Sequence, residues 1–153
     1  MKNIADIRQE YTKSGLRESE LPCDPLSLFS RWLQEAIDAN VEEPTAVIVG
    51  TVSPEGRPST RTVLLKGLHD GKFIFYTNYE SRKGRQLAQN PYISLSFVWH
   101  ELERQVHIEG TAAKVSPEES DEYFQKRPYK SRIGARILSL IHISEPTRRR
   151  GIS

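Results

Sequence analysis

Apolar and polar positions change period several times along this chain, and each change predicts an element. From Asp24, the residues Leu26, Phe29, Trp32, Leu33, Ala36 and Ile37 recur at helical spacing. Asp24-Pro25 places an N-cap carboxylate before a proline at the first helical position, so a helix with that stripe in the core is predicted. Thr45 to Val52 (TAVIVGTV) is a nearly continuous apolar run, which predicts a strand buried on both faces. Ser53-Pro54-Glu55-Gly56 makes a turn into a second strand, whose β-branched and aliphatic run is Thr62 to Leu65. His69-Asp70-Gly71 then carries the Asp-Gly signal of a hairpin. Lys72 to Asn78 alternates, with Phe73, Phe75 and Thr77 on one face and Ile74 and Tyr76 on the other.

After Asn78 the pattern turns helical and stops near Asn90-Pro91, because proline disfavours helical geometry in the residue before it. Tyr92 to Trp99 alternates again, setting Ile93, Leu95, Phe97 and Trp99 against Tyr92, Ser94, Ser96 and Val98. A further strand covers Glu103 to Val115, with Gly110 as a bulge. Ser116-Pro117-Glu118-Glu119 opens a helix that Arg127-Pro128 ends. Near the start, Ile4, Ile7 and Tyr11 share a weak helical face, and Arg17 to Leu21 reads as a polar linker. Short strands with few helices predict a mainly β fold with flanking helices (α+β), in the form of a small β-barrel.

Composition narrows this picture. A chain of 153 residues with 37% hydrophobic and 27% charged side chains fits one globular domain. No apolar run approaches a membrane span, and Met1-Lys2-Asn3 leads into a charged segment rather than a signal peptide. Cys23 is the single cysteine, which excludes an internal disulfide, fits a reducing cytoplasm and suggests a packing role. The net charge of +2 resides in the last residues, where Arg148, Arg149 and Arg150 outnumber Glu145. Residues 1–137 hold 19 basic and 19 acidic side chains, so nothing in the body points to nucleic acid. The histidines are scattered and no metal-ligand spacing occurs.

The chemistry-bearing cations bracket the hairpin. Arg61 and Lys66 stand on its first strand, and Arg82 and Lys83 follow its second, at a helix start. A phosphate dianion takes several charge-assisted donors, and backbone amides at a helix N-terminus add to them. Two readings stay open on these residues alone: half of a phosphate-bearing cofactor site, or solvated cations beside a hairpin. Period-two geometry sets Arg61 and Lys66 on opposite faces of a regular strand, where they would serve different anions. Tyr123 and Arg127, four apart on one helical face with Ser131 beyond, form a second candidate phosphate clamp.

The segments RTVLLK (Arg61–Lys66), FYTN (Phe75–Asn78), SRK (Ser81–Lys83) and FVWHELERQV (Phe97–Val106) together resemble the pyridoxine/pyridoxamine 5′-phosphate oxidase family, from about Ile7 to Ile137. That family consists of FMN-dependent split-barrel homodimers. The resemblance implies FMN contacts from Arg61, Thr62, Val63, Leu64, Leu65, Lys66, Tyr76, Thr77, Arg82, Lys83 and Gln105. It implies a substrate-phosphate site of Lys66, Tyr123, Arg127 and Ser131, with Arg8 and Tyr11 on an N-terminal arm that folds over the substrate. The implied reaction converts pyridoxamine or pyridoxine 5′-phosphate to pyridoxal 5′-phosphate, as in vitamin B6 metabolism, with dioxygen as final oxidant and hydrogen peroxide released. No side chain is assigned as a catalytic acid, base or nucleophile, because the redox chemistry belongs to the cofactor. A flavin-binding module without oxidase activity, or an inactive fragment of the oxidase, are the competing readings.

The resemblance ends after Ile137. Leu138 to Arg148 (LSLIHISEPTR) reads as the translation of a transposase sequencing-library adapter. The expected organisation is therefore an arm over 1–23, an FMN-binding split-barrel domain over 24–137, and a non-native tail over 138–153. The family's later Gln-Ser pair, flavin-contacting Trp and Arg-Leu-His segment have no counterpart in that tail, so the barrel is expected to be incomplete at its C-terminal end.

Overall fold

A computed structural model describes residues 3–7, 9–13, 15–77, 81–116, 118, 139–143 and 149–152, the last two segments as backbone alone. Helix α1 spans Pro25–Asp38, and Asp24 caps it by accepting from the Leu26 and Ser27 amides at 3.1 Å each. It ends in a Schellman motif: Asn40, with φ of 53°, donates to the Ile37 carbonyl, and the Val41 amide donates to that of Ala36. Phe29, Trp32 and Ala36 are buried, as the stripe predicted, while Ile37 lies 43% exposed at its edge.

Strands β1 (Ala46–Val52), β2 (Pro58–His69), β3 (Lys72–Thr77), β4 (Tyr92–Trp99) and β5 (Arg104–Lys114) form a curled antiparallel half-barrel. β1 lies between β2 and β4, β3 follows β2, and β5 pairs with β4. The expected split-barrel architecture is present, with α1 and a second helix, α2 (Arg82–Gln89), flanking the sheet. Asp70 and Gly71 both have positive φ, 49° and 75°, so the β2–β3 hairpin turns by the tight mirror-image geometry that Asp-Gly favours. The backbone of β6 (Ser139–Ile143) pairs with β3 and with residues 112–114 of β5, and β7 (Arg149–Ile152) pairs with the opposite half of β5.

The core fills the concave side. Phe29 of α1 sits edge-on to Phe73 and Phe97, with ring centroids 5.0 and 4.9 Å apart, and Trp99 closes the cluster. The indole of Trp99 also donates to the Pro44 carbonyl at 2.9 Å. Val47, Val49, Leu95, Val106 and Ile108 complete this inner face.

Four expectations are corrected. β1 is buried on one face only, since Ile48 points outward and is 42% exposed, and the helices cover the other face. Gly110 pairs in register with Ile93, and the bulge lies instead in β2, where Lys66 is the extra residue between Leu65 and Gly67. Among the described residues of 4–12, helical structure is limited to a 3₁₀ turn over Ile4–Asp6, and Ile4, Ile7 and Tyr11 are exposed. A weak stripe with nothing to cover it does not repay helix nucleation. Cys23 is exposed rather than packed. The helix predicted after Ser116, apart from Glu118, falls outside the described residues.

Candidate cofactor site

The inner face of the half-barrel changes character at one end. The alternation that buries Val47 and Val49 in β1 brings Thr51 into the same row, 1% exposed. On β2, Arg61 pairs with Val49 and Ser59 pairs with Thr51, so both follow onto this face. Against them lies the first turn of α2, whose start is fixed by Ser81: its hydroxyl accepts from the Gly84 amide at 3.1 Å. The helix turns Lys83, Gly84, Gln86 and Leu87 inward.

A hydrogen-bonded row joins these elements. Arg61 Nη2 donates to Ser59 Oγ at 3.1 Å, Ser59 donates to Gln86 Oε1 at 2.9 Å, and Thr51 donates to the same oxygen at 2.5 Å. The amide of Gln86 thus takes two hydroxyl protons, and the guanidinium joins the row through Ser59. Arg61 Nε is buried and has no hydrogen-bond partner.

Lys83 is the second cation, only 4% exposed. Burial pushes its ammonium down to about 8, and the neighbouring Arg61 charge pushes in the same direction. The ion pairs among the described residues join Arg17 to Glu20, Arg31 to Glu35 and Arg104 to Glu35, and none reaches Arg61 or Lys83. A buried ammonium on the first turn of α2, beside a half-buried guanidinium with an orphaned N–H, is an arrangement that an anion would relieve. A phosphate monoester fits: it supplies charge to both and accepts from Nε.

The other residues singled out in the sequence distribute around this pair. Val63 and Leu65 face inward with Arg61, whereas Thr62 and Leu64 face outward. Thr77 is buried at the end of β3, Tyr76 is half-buried beside it, and Arg82 is exposed on the first turn of α2. Lys66 is exposed at the bulge, so Arg61 and Lys66 do point to different sides. Gln105 pairs with outward-facing Val98 and lies on the opposite face of the sheet from Arg61. There it hydrogen-bonds His107 Nε2, while His107 Nδ1 lies 2.8 Å from Ser96 Oγ. Tyr11, from the arm, lines a cleft of about 240 Å³ with Val98, Trp99, Glu103 and Gln105. Arg8, Tyr123, Arg127 and Ser131 lie outside the described residues.

Thr51, Ser59 and Gln86 were not anticipated from the sequence. The available signal was spacing: Gln86 stands three residues after Lys83 and so shares its helical face, and Thr51 continues the odd-numbered inner row of β1.

An antiparallel half-barrel with flanking helices, and with a cation pair where one helix starts, defines the class of split-barrel proteins. Known proteins sharpen this. Residues 33–152 match the family model described as pyridoxamine 5′-phosphate oxidase, and the chain belongs to that family. It is 98% identical over 137 residues to the pyridoxine/pyridoxamine 5′-phosphate oxidase of Bacteroides thetaiotaomicron, an alignment covering 90% of this chain and 64% of that protein. The chain thus spans less than two thirds of that relative's length. In fold it resembles PhzG from Burkholderia lata 383, solved with tetrahydrophenazine-1-carboxylic acid, at a TM-score of 0.76 and 24% identity, over 88% of this chain and 83% of that one. It also resembles a pyridoxamine 5′-phosphate oxidase-related, FMN binding protein from Nostoc punctiforme, at a TM-score of 0.68 and 16% identity, over 82% and 88% of the two chains.

Proposed function

We propose that this chain carries the cofactor-phosphate half of an FMN-dependent oxidase acting on pyridoxamine or pyridoxine 5′-phosphate. The observation that carries the reading is buried Lys83 beside half-buried Arg61, whose Nε has no hydrogen-bond partner, with no carboxylate paired to either among the described residues. Arg61 and Lys83 would hold the FMN phosphate, and the α2 amides would add donors. Val63, Leu65, Tyr76, Thr77 and Arg82 lie on the same hairpin and helix start and are assigned to the rest of the cofactor, whereas the outward-facing Thr62, Leu64 and Lys66 would meet it only from a second copy. Bound FMN would supply the hydride acceptor, with dioxygen as the final oxidant. The protein's own work is positioning and exclusion of water.

Gln105 belongs to the opposite face, so one copy does not present it beside its own Arg61. A homodimer in which one copy's outer face meets the other's cation pair reconciles the two, and the exposed Ile48, Leu64 and Val98 give that face an apolar surface. Among the described residues, no helix is long and apolar enough to cross a membrane, and we place the protein in the cytoplasm. The substrate phosphate is assigned to Lys66 with Tyr123, Arg127 and Ser131, and the arm residues Arg8 and Tyr11 to its cover.

A second reading is an FMN-binding module, or an inactive fragment, that holds the cofactor phosphate without oxidase activity. We keep residues 138–153 as a non-native tail, a reading supported by high identity over 137 residues of the 153. Re-reading the genomic DNA beyond codon 137 tests it. The activity is tested by the visible spectrum of the purified chain with FMN, before and after anaerobic pyridoxamine 5′-phosphate. Retained flavin that bleaches supports the oxidase, retained flavin that does not bleach supports the module, and lost flavin supports the fragment.

A further inference from the structure

Beyond the cation pair, one long-range polar contact stands out. The Lys13 amide donates to Glu103 Oε2 at 2.8 Å, across 90 residues of sequence. Lys13 Nζ also donates to the Glu101 carbonyl. These bonds pin the arm to the turn between β4 and β5, a 3₁₀ turn over His100–Leu102. The turn ends at Glu103 in left-handed backbone, φ 54°, with its amide bonded to the His100 carbonyl at 3.0 Å. A glutamate is a poor occupant of that conformation, which glycine or asparagine adopts more readily. What the glutamate contributes is a carboxylate aimed at the arm.

Two residues before Lys13, Tyr11 lines the cleft that also includes Gln105, two residues beyond Glu103. The clamp therefore fixes both walls of one cleft: its arm side through Lys13, and its strand side through the turn that starts β5. We propose that Glu103 is a positioning residue that latches the N-terminal arm and sets Tyr11 across the cleft from Gln105. The inference rests on the oxidase reading for what the cleft receives, and on hydrogen-bond geometry for the latch itself. Lys13 meets Glu103 through its backbone amide, so this bond of the latch depends on the carboxylate, while the Lys13 side chain adds the bond to the Glu101 carbonyl.

The test compares wild type with Glu103→Gly and Glu103→Gln in the full chain. Glycine suits the positive φ and keeps the turn while removing the carboxylate; glutamine keeps a neutral acceptor. Hydrogen–deuterium exchange of the Lys13 amide reads the latch without cofactor. Exchange about tenfold or more faster in Glu103→Gly, with Glu103→Gln between, is the expected result, because a bond to a charged acceptor is lost. Tryptic cleavage after Lys13 should accelerate in the same order. Equal exchange in all three proteins would overturn the latch. In FMN-loaded protein that turns over pyridoxamine 5′-phosphate, Glu103→Gly is expected to raise KM several-fold with kcat within about twofold. An unchanged KM would overturn the placement of Tyr11. A wild-type chain that never retains flavin would count against the oxidase reading while the exchange result still decides the latch.

Discussion

The two ends of the half-barrel interior follow the same inward alternation of neighbouring strands, yet they do opposite work. At one end, Phe29, Phe73, Phe97 and Trp99 meet ring against ring and are each at most 2% exposed. At the other, the same inward rows of β1 and β2 supply Thr51, Ser59 and Arg61, and α2 adds Lys83 and Gln86. The aromatic end contributes stability through apolar burial. The polar end holds a buried ammonium beside a half-buried guanidinium, an arrangement that costs stability and that an anion would relieve. Burial is common to both, and the chemistry of the buried groups separates a core from a site.

The sharpest break of this comparison comes at the aromatic end. Phe29→Ala is expected to cost about 3–5 kcal/mol, the usual range for emptying a buried aromatic position, and to show as a lower urea midpoint. Lys83→Met, at the polar end, should do the reverse in the ligand-free chain: raise its urea midpoint while weakening FMN about 10- to 100-fold, the loss of one charge-assisted contact. A methionine that lowered ligand-free stability would mean that Lys83 is packed there as structure.

The pH dependence of stability sharpens the same contrast. Lys83 is held at about 8 in the folded chain against 10.5 for an ordinary lysine, so the unfolded chain binds more protons between those values. The penalty of the charged lysine is complete below about pH 8 and is relieved as pH rises toward 10.5. Ligand-free protein should therefore gain stability from this group across that window, whereas Lys83→Met should not. Saturating phosphate, by favouring the ammonium, should flatten the rise. Denaturation curves at stepped pH measure it. The smallest effect belongs to neither end: Asp24→Ala removes the cap of α1, is expected to cost about 1 kcal/mol, and should leave FMN affinity unchanged.

Legibility in the sequence followed how local each cause was. Asp24-Pro25, the Asp70-Gly71 turn and the alternation in Phe73–Thr77 are self-contained signals, and each element stands where its pattern placed it. The bulge at Lys66 carries no such signal, because that kind of bulge needs no glycine, while Gly110, which looked like one, stays in register. The continuous apolar run of β1 read as doubly buried, yet its outer face is exposed at Ile48. At the site, the cations were legible as residue types near a hairpin. Their convergence was expected from the family resemblance, but no local pattern fixes it, because bringing Arg61 to Lys83 depends on how α2 docks against β1 and β2. The separation of Gln105 from Arg61 likewise follows from sheet register, which no local pattern specifies.

The central claim is that Arg61 and Lys83 form a phosphate site, and a paired titration of the chain with FMN and with riboflavin tests it most directly. The two ligands share the ring system and differ by the phosphate. FMN is expected to bind at least about tenfold more tightly than riboflavin. That advantage should disappear in the Arg61→Met/Lys83→Met double variant. Wild-type chain that binds riboflavin as tightly as FMN would contradict the assignment.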